Sequence, residues 1–197
     1  MNYLAHLLLA DDSDASRIGN LLGDFTRGAI TDLEHQFPAE VIRGIRMHRA
    51  VDRFTDSHEV FRSARELLAP ERRRFAGIVV DIIYDHFLCI HWQDYCEVPL
   101  EEFIRSVYRA LDENPEWHAG RLKKAFPMMR DEDWLARYAT IDGIENTLQR
   151  VSRRSPRVGA IADGIDDLRE NYDAFELLFL DFMPDLLAFV NRWKKDN

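Results

Sequence analysis

His48 and Asp52 lie four residues apart in RGIRMHRAVDRFTD (Arg43 to Asp56), a spacing that on a helix stacks an imidazole over a carboxylate. Asp81 and Asp85 repeat the spacing in VVDIIYDHF, with His86 directly after them. Imidazole and carboxylate together suit divalent manganese, iron, zinc or magnesium, and a rigid helix turns two such donors towards one point with little ordering entropy. Two helices so equipped are expected to clamp an ion between them, with Asp24 and His6 as further donors. For any one pair alone the simpler account is an ordinary salt bridge, with Arg49 or Arg53 serving Asp52 and His48 a satisfied core residue. It is the set, two pairs with Asp24 and His6, that favours a metal.

Within that set the residues are not equal. Neighbours on a helix diverge by about 100°, so Asp81 agrees better with Asp85 than either does with His86. His86 is a less favoured ligand, or a group that supports the ligands or moves a proton. His6 is a ligand or a polar residue at a helix edge. His91 projects differently, and His35, His58 and His118 read as solvated, so these four are left outside. Arg46, Arg49 and Arg53 gather on the face adjoining His48 and Asp52, with Arg43 one turn earlier. Arginines grouped beside a metal pair suit an anionic phosphate or an acidic protein surface. Arg72, Arg73 and Arg74 read instead as a solvated run. There is no Glu-x-x-His, no G-x-S-x-G and no glycine-rich phosphate loop.

The elements that must position these groups are helical. Pro38 opens a helix that runs uninterrupted towards Ser57 and carries the His48 pair. Met1 to Ala10 predicts a short apolar helix, with Ser13 as the cap of a second helical turn through Leu22. Gly19, Gly23 and Gly28 predict a helix end and a turn that present Asn20 and Asp24 from a backbone bend. Pro70 begins ERRRFAGIVVDIIYDHFLCIHWQDYCE, apolar nearly all round from Phe75 to Trp92 and therefore a buried helix. Two aspartates desolvated there require a counter-charge. Pro99, Pro115 and Pro127 mark starts or ends of shorter helices, Ser152 to Arg157 is a basic break, and Asp163 to Trp193 follows a 3.6-residue period with a kink or restart at Pro184. No strand-like alternation appears, so the fold class is all-α, a single-domain helical bundle.

Composition bounds the rest. The 197 residues are enough to bury about 70% of the unfolded surface without a disulfide or structural metal. Cys89 and Cys96 are too far apart on a helix to pair, which suits reduced thiols in the cytoplasm. A net charge of -9 argues against indiscriminate nucleic-acid binding, and no apolar run approaches a membrane span.

At four blocks, MNYLAHLLLA, GNLLGDFTRG, GIRMHRAVDRFTDSH and VVDIIYDHFLCIHW, the chain resembles the bacterial acyl carrier protein phosphodiesterases, also called acyl carrier protein hydrolases. That family is regarded as divergent from the His-Asp metal-dependent phosphohydrolases. Usual His-Asp enzymes carry a contiguous His-Asp pair; here Asp85-His86 has the reverse order, and His48 is separated from Asp52. The resemblance implies a His-Asp phosphohydrolase-like bundle that removes 4'-phosphopantetheine from holo acyl carrier protein with a divalent cation, Mn2+ by preference and Mg2+ or Fe2+ as alternatives. It implies Asp24, His48, Asp52, Asp81 and Asp85 as ligands, with His6 and His86 beside them, and His86 as the acid for the leaving oxygen. The strongly acidic carrier protein would dock on Arg46, Arg49 and Arg53, helped by Arg43 and Arg154. A His-Asp type hydrolase of guanosine polyphosphate would use the same metal and arginines, but no base-recognition motif supports it. A non-catalytic helical binding module would reduce the charges to surface ion pairs.

Overall fold

The computed structural model describes residues 1–153 and 155–197, so Arg154 lies outside the described residues. Among these there are twelve α-helices, four 3-10 turns and no strand. The helices are α1 (Tyr3–Leu9), α2 (Asp14–Phe25), α3 (Ile30–Leu33), α4 (Ala39–Ser57), α5 (Glu59–Glu66), α6 (Ala76–Ile90), α7 (Trp92–Tyr95), α8 (Leu100–Glu113), α9 (Leu122–Asp131), α10 (Ile141–Ser152), α11 (Gly164–Glu170) and α12 (Tyr172–Asp196). No helix among the described residues is long and apolar enough to cross a membrane.

Helix α6 is the hub. Its first turn follows a 3-10 turn begun by Pro70, and from Val79 to Cys89 only Asp81 escapes full burial. Each Val, Leu, Ile or Phe so buried contributes about 1.5–3 kcal/mol. Around it pack α1, α10, α5 and α12, and one apolar cluster runs from Met1 to Val190. Helix α4 starts at Pro38 as expected, and Ser13 caps α2 by accepting the Ser16 amide hydrogen at 3.2 Å.

Four expectations are corrected. Asn20 and Asp24 do not stand on a bend, because α2 continues through Gly19 and Gly23 to Phe25. The glycines serve close packing: a Cβ on Gly19 would lie 2.3 Å from the Val41 carbonyl oxygen, and one on Gly44 would lie 2.8 Å from the Gly19 Cα. Pro184 does not restart the chain, because α12 runs through it unbroken. Phe175, Phe179 and Phe182 before it and Leu186 and Val190 after it are all buried, and that shared face carries α12 through the missing amide donor. Pro127 likewise sits inside α9, between the buried Phe126 and Met129.

The fourth correction concerns Arg72, which is no member of a solvated run. Its guanidinium clasps Asp167 of α11 through Nε and through Nη2 at 2.8 Å, while the Ala69 amide donates to the same carboxylate at 3.0 Å. Asp167 is 4% exposed. Arg72→Ala strands that charge and is expected to destabilise the protein by about 3 kcal/mol. The melting temperature should then fall by about 6–12 °C. An unchanged melting curve would show that water serves Asp167 as well as the guanidinium does.

Candidate metal centre

The i, i+4 spacing on α4 places His48 Nε2 3.1 Å from Asp52 Oδ2. Helix α1, almost wholly buried, brings His6 from the other side, and its Nε2 lies 3.1 Å from Asp52 Oδ1. The two imidazoles stack with centroids 3.8 Å apart. One carboxylate therefore bridges two buried rings. Helix α2 closes a third side, since a Cβ on Gly23 would fall 2.1 Å from the His48 ring, so only glycine allows α2 and α4 to approach here. From the same helix Asp24 reaches to within 3.9 Å of His48 Nε2.

Electrostatics separates the two histidines. Burial, then the neighbouring charge on His48, pushes His6 down to about 3. Burial also opposes the charged form of His48, but hydrogen bonding to Asp52 and the charges of Asp24 and Asp52 outweigh it and raise its pKa. Burial would lift Asp52; hydrogen bonds from His48 and His6 instead hold it well below the usual carboxylate range. A proton is thus favoured on His48 over His6, with the Asp52 carboxylate between the two rings.

One donor atom from each of His6, His48 and Asp52 lies within 4.8 Å of the other two. The Nδ1 atoms of both rings are buried without a hydrogen-bond partner. Two imidazoles and a carboxylate are a donor set that manganese, iron and zinc accept, so the residues fit a divalent cation. The surroundings already draw in positive charge: the Met1 amino group lies 2.5 Å from Asp81 Oδ1. That ammonium is the counter-charge Asp81 requires, and burial nevertheless holds the Asp81 pKa above its ordinary value.

Asp85 answers the same requirement differently. It is completely buried and accepts the amide hydrogens of Leu4 at 2.8 Å and Ala5 at 3.2 Å, at the first turn of α1. A carboxylate there satisfies amides that the helix cannot and meets the positive end of its dipole. Burial is the larger effect and pushes Asp85 up to about 7, against those amides. Its oxygens thus hold α1, and with it His6, in register with α6. Asp85→Asn replaces one acceptor by a donor facing an amide and is expected to destabilise the protein by about 2 kcal/mol. Manganese should be lost only in step with the fold in that variant; loss of the ion with stability intact would return Asp85 to the ligands.

His86 is engaged elsewhere. The Tyr138 carbonyl, which can only accept, lies 2.8 Å from Nδ1, so that nitrogen carries the proton; Nε2 meets the Tyr172 hydroxyl at 3.0 Å. Burial lowers its pKa against the Tyr138 hydrogen bond and the charge of Glu176, which favours the neutral ring with Nε2 as an acceptor. Of the excluded histidines, His58 is not solvated: it packs edge-on to Phe182 and pairs with Asp185 at 3.3 Å.

The arginine face is partly committed. Arg43 pairs with Asp11, donates to the Lys194 carbonyl at 3.3 Å and lies over Trp193, which makes it a structural tie. Arg46 reaches Glu34 at 2.5 Å, and Arg49 donates to the Gly28 carbonyl at 3.0 Å. Arg53 is exposed and makes no ion pair among the described residues. Sequence reasoning passed over Arg27 and Arg121, which line a cavity with Asp24 and Asp81. Arg27 could have been noticed three residues after Asp24. Arg121 had no local signal.

Comparison with known proteins bears on this centre. A sequence profile of the family described as acyl carrier protein phosphodiesterase matches residues 1–186. The acyl carrier protein phosphodiesterases of Escherichia coli strains K12 and SMS-3-5 and of Escherichia coli O7:K1 are each 40% identical to it over 197 residues, covering 98% of both chains. No solved structure matches. A bundle that gathers two histidines and an aspartate beside two further carboxylates is thus the form taken here by a member of a known hydrolase family, and the chain belongs to the acyl carrier protein phosphodiesterase family.

Proposed function

We propose that the protein hydrolyses the phosphodiester between 4'-phosphopantetheine and the serine of holo acyl carrier protein, using a divalent cation held by His6, His48 and Asp52. The observation that carries the reading is the convergence of those three residues, from two helices, in a chain of this family. Mn2+ is the favoured ion, with Mg2+ or Fe2+ as alternatives. When bound, the cation would lower the pKa of a water and offset charge developing on the phosphoryl oxygens. Asp24 and Asp81 stand at the edge of the group, where they can orient the attacking water or complete the ligands. Asp85 positions α1, and His86 is assigned to packing rather than to proton transfer.

Release of free 4'-phosphopantetheine and apo carrier protein from holo carrier protein and manganese tests this directly. Absence of both products, with holo substrate intact by mass, would refute it. Metal analysis of the purified protein separates a hydrolase from a binding module.

The carrier protein is acidic, as is this chain, so docking needs a local basic face. Arg53, lacking an acidic partner, and Arg49 beside it supply that face, with Arg46 at its edge. Arg53→Glu is expected to raise KM for holo carrier protein about tenfold at low salt while kcat stays within about twofold, and the difference should shrink as salt is added. A KM independent of charge at this position would move the docking face elsewhere.

A further inference from the structure

A cavity of about 400 Å³ is lined by Asp24, which reaches to within 3.9 Å of His48 Nε2, and by Asp81. Ile78 and Ile82 from α6 and Val151 from α10 give its lining apolar surface beside polar groups that include Arg150. The Thr147 hydroxyl on its lining is 1% exposed and has no hydrogen-bond partner in the protein. Arg27 and Arg121, exposed at the rim, also line an adjoining groove of about 470 Å³, so the two guanidiniums stand on the ridge between the two spaces.

Placement of Arg121 is built in. Gly120 has φ +56°, and a Cβ on it would fall 2.5 Å from the Phe25 carbonyl oxygen, so the loop sits hard against the end of α2. Arg121 Nη2 then donates to the Asp24 carbonyl at 2.8 Å. Two exposed guanidiniums on the same lining as two carboxylates offer a site for an anion that also meets a cation, as a phosphate ester does. Apolar walls with one unsatisfied buried hydroxyl suit an uncharged chain that carries amides.

We propose that this cavity receives the phosphopantetheine arm, with Arg27 and Arg121 on its phosphate and Thr147 hydrogen-bonded to the chain. The assignment rests on the hydrolase reading above. Arg46, Arg49 and Arg53 then serve the protein part of the substrate, and Arg27 with Arg121 the prosthetic group.

The test is calorimetric titration of the full-length, manganese-loaded protein with 4'-phosphopantetheine and, separately, with pantetheine, which lacks the phosphate. The double variant Arg27→Ala, Arg121→Ala should weaken phosphopantetheine by about 30-fold or more and pantetheine by less than about twofold, with manganese content unchanged. Thr147→Val, which keeps the shape, should weaken both ligands about equally, by about 3–10-fold. Wild-type protein that fails to bind phosphopantetheine overturns the proposal, and so does a double variant that binds it normally or loses both ligands alike. Failure to release phosphopantetheine from holo carrier protein counts against the hydrolase reading; the titrations decide the cavity assignment independently.

Discussion

Asp52→Ala is expected to reduce turnover by about three orders of magnitude or more, equivalent to about 4 kcal/mol of transition-state stabilisation. This carboxylate touches both His6 and His48, each at 3.1 Å. Removing it leaves two stacked imidazoles and no anionic donor between them, and a divalent cation between two neutral rings is held far less tightly. The fold should survive, because the Asp52 side chain is 42% exposed and its loss opens no cavity in the core. Turnover, manganese content and thermal unfolding measured together make the outcome decisive. Near-normal turnover, or normal manganese content, would remove Asp52 from the centre.

Gly23→Ala should be nearly as damaging although glycine carries no chemistry. The added methyl would lie 2.1 Å and 2.2 Å from two carbons of the His48 ring. Both helices are packed closely along their length, so the ring must turn away from Asp52 or α2 must lift from α4. Overpacking of this kind destabilises by about 1–3 kcal/mol, and a ligand displaced by about 1 Å costs about 100-fold in rate. Gly77→Ala is the control: a Cβ there meets nothing within 4 Å, so helix propensity alone predicts unchanged turnover and equal or slightly greater stability. Normal manganese binding by Gly23→Ala would mean that the His48 ring is not confined by α2.

What could be read from the chain beforehand follows from the range of each interaction. His48 and Asp52 were legible because a helix alone brings them together, and the buried nature of α6 followed from its apolar circumference. His6 stood as an ambiguous residue because its partner lies 46 positions away. Asp85 was grouped with Asp81 through shared spacing, yet their fates diverge: one caps another helix from 81 positions away, the other faces a cavity and an ammonium group. Nothing local marks a residue that caps a helix elsewhere in the chain. Gly19 and Gly23 read as punctuation because a glycine needed for room looks the same in sequence as one needed for a turn. Arg72 was hidden in its run of three, where only the position of Asp167 distinguishes it.

The hold of Asp85 on the first turn of α1 also bears on how the protein matures. A helix of seven residues does not persist alone in water, so the segment bearing His6 becomes ordered only once α6 is in place to receive it. The segment that carries His6 is made before Asp85 and must wait for that residue, some eighty positions later, before its first turn is held. Partly assembled chains therefore lack an ordered His6 beside His48 and Asp52, and that grouping arrives with completion of the bundle rather than before it.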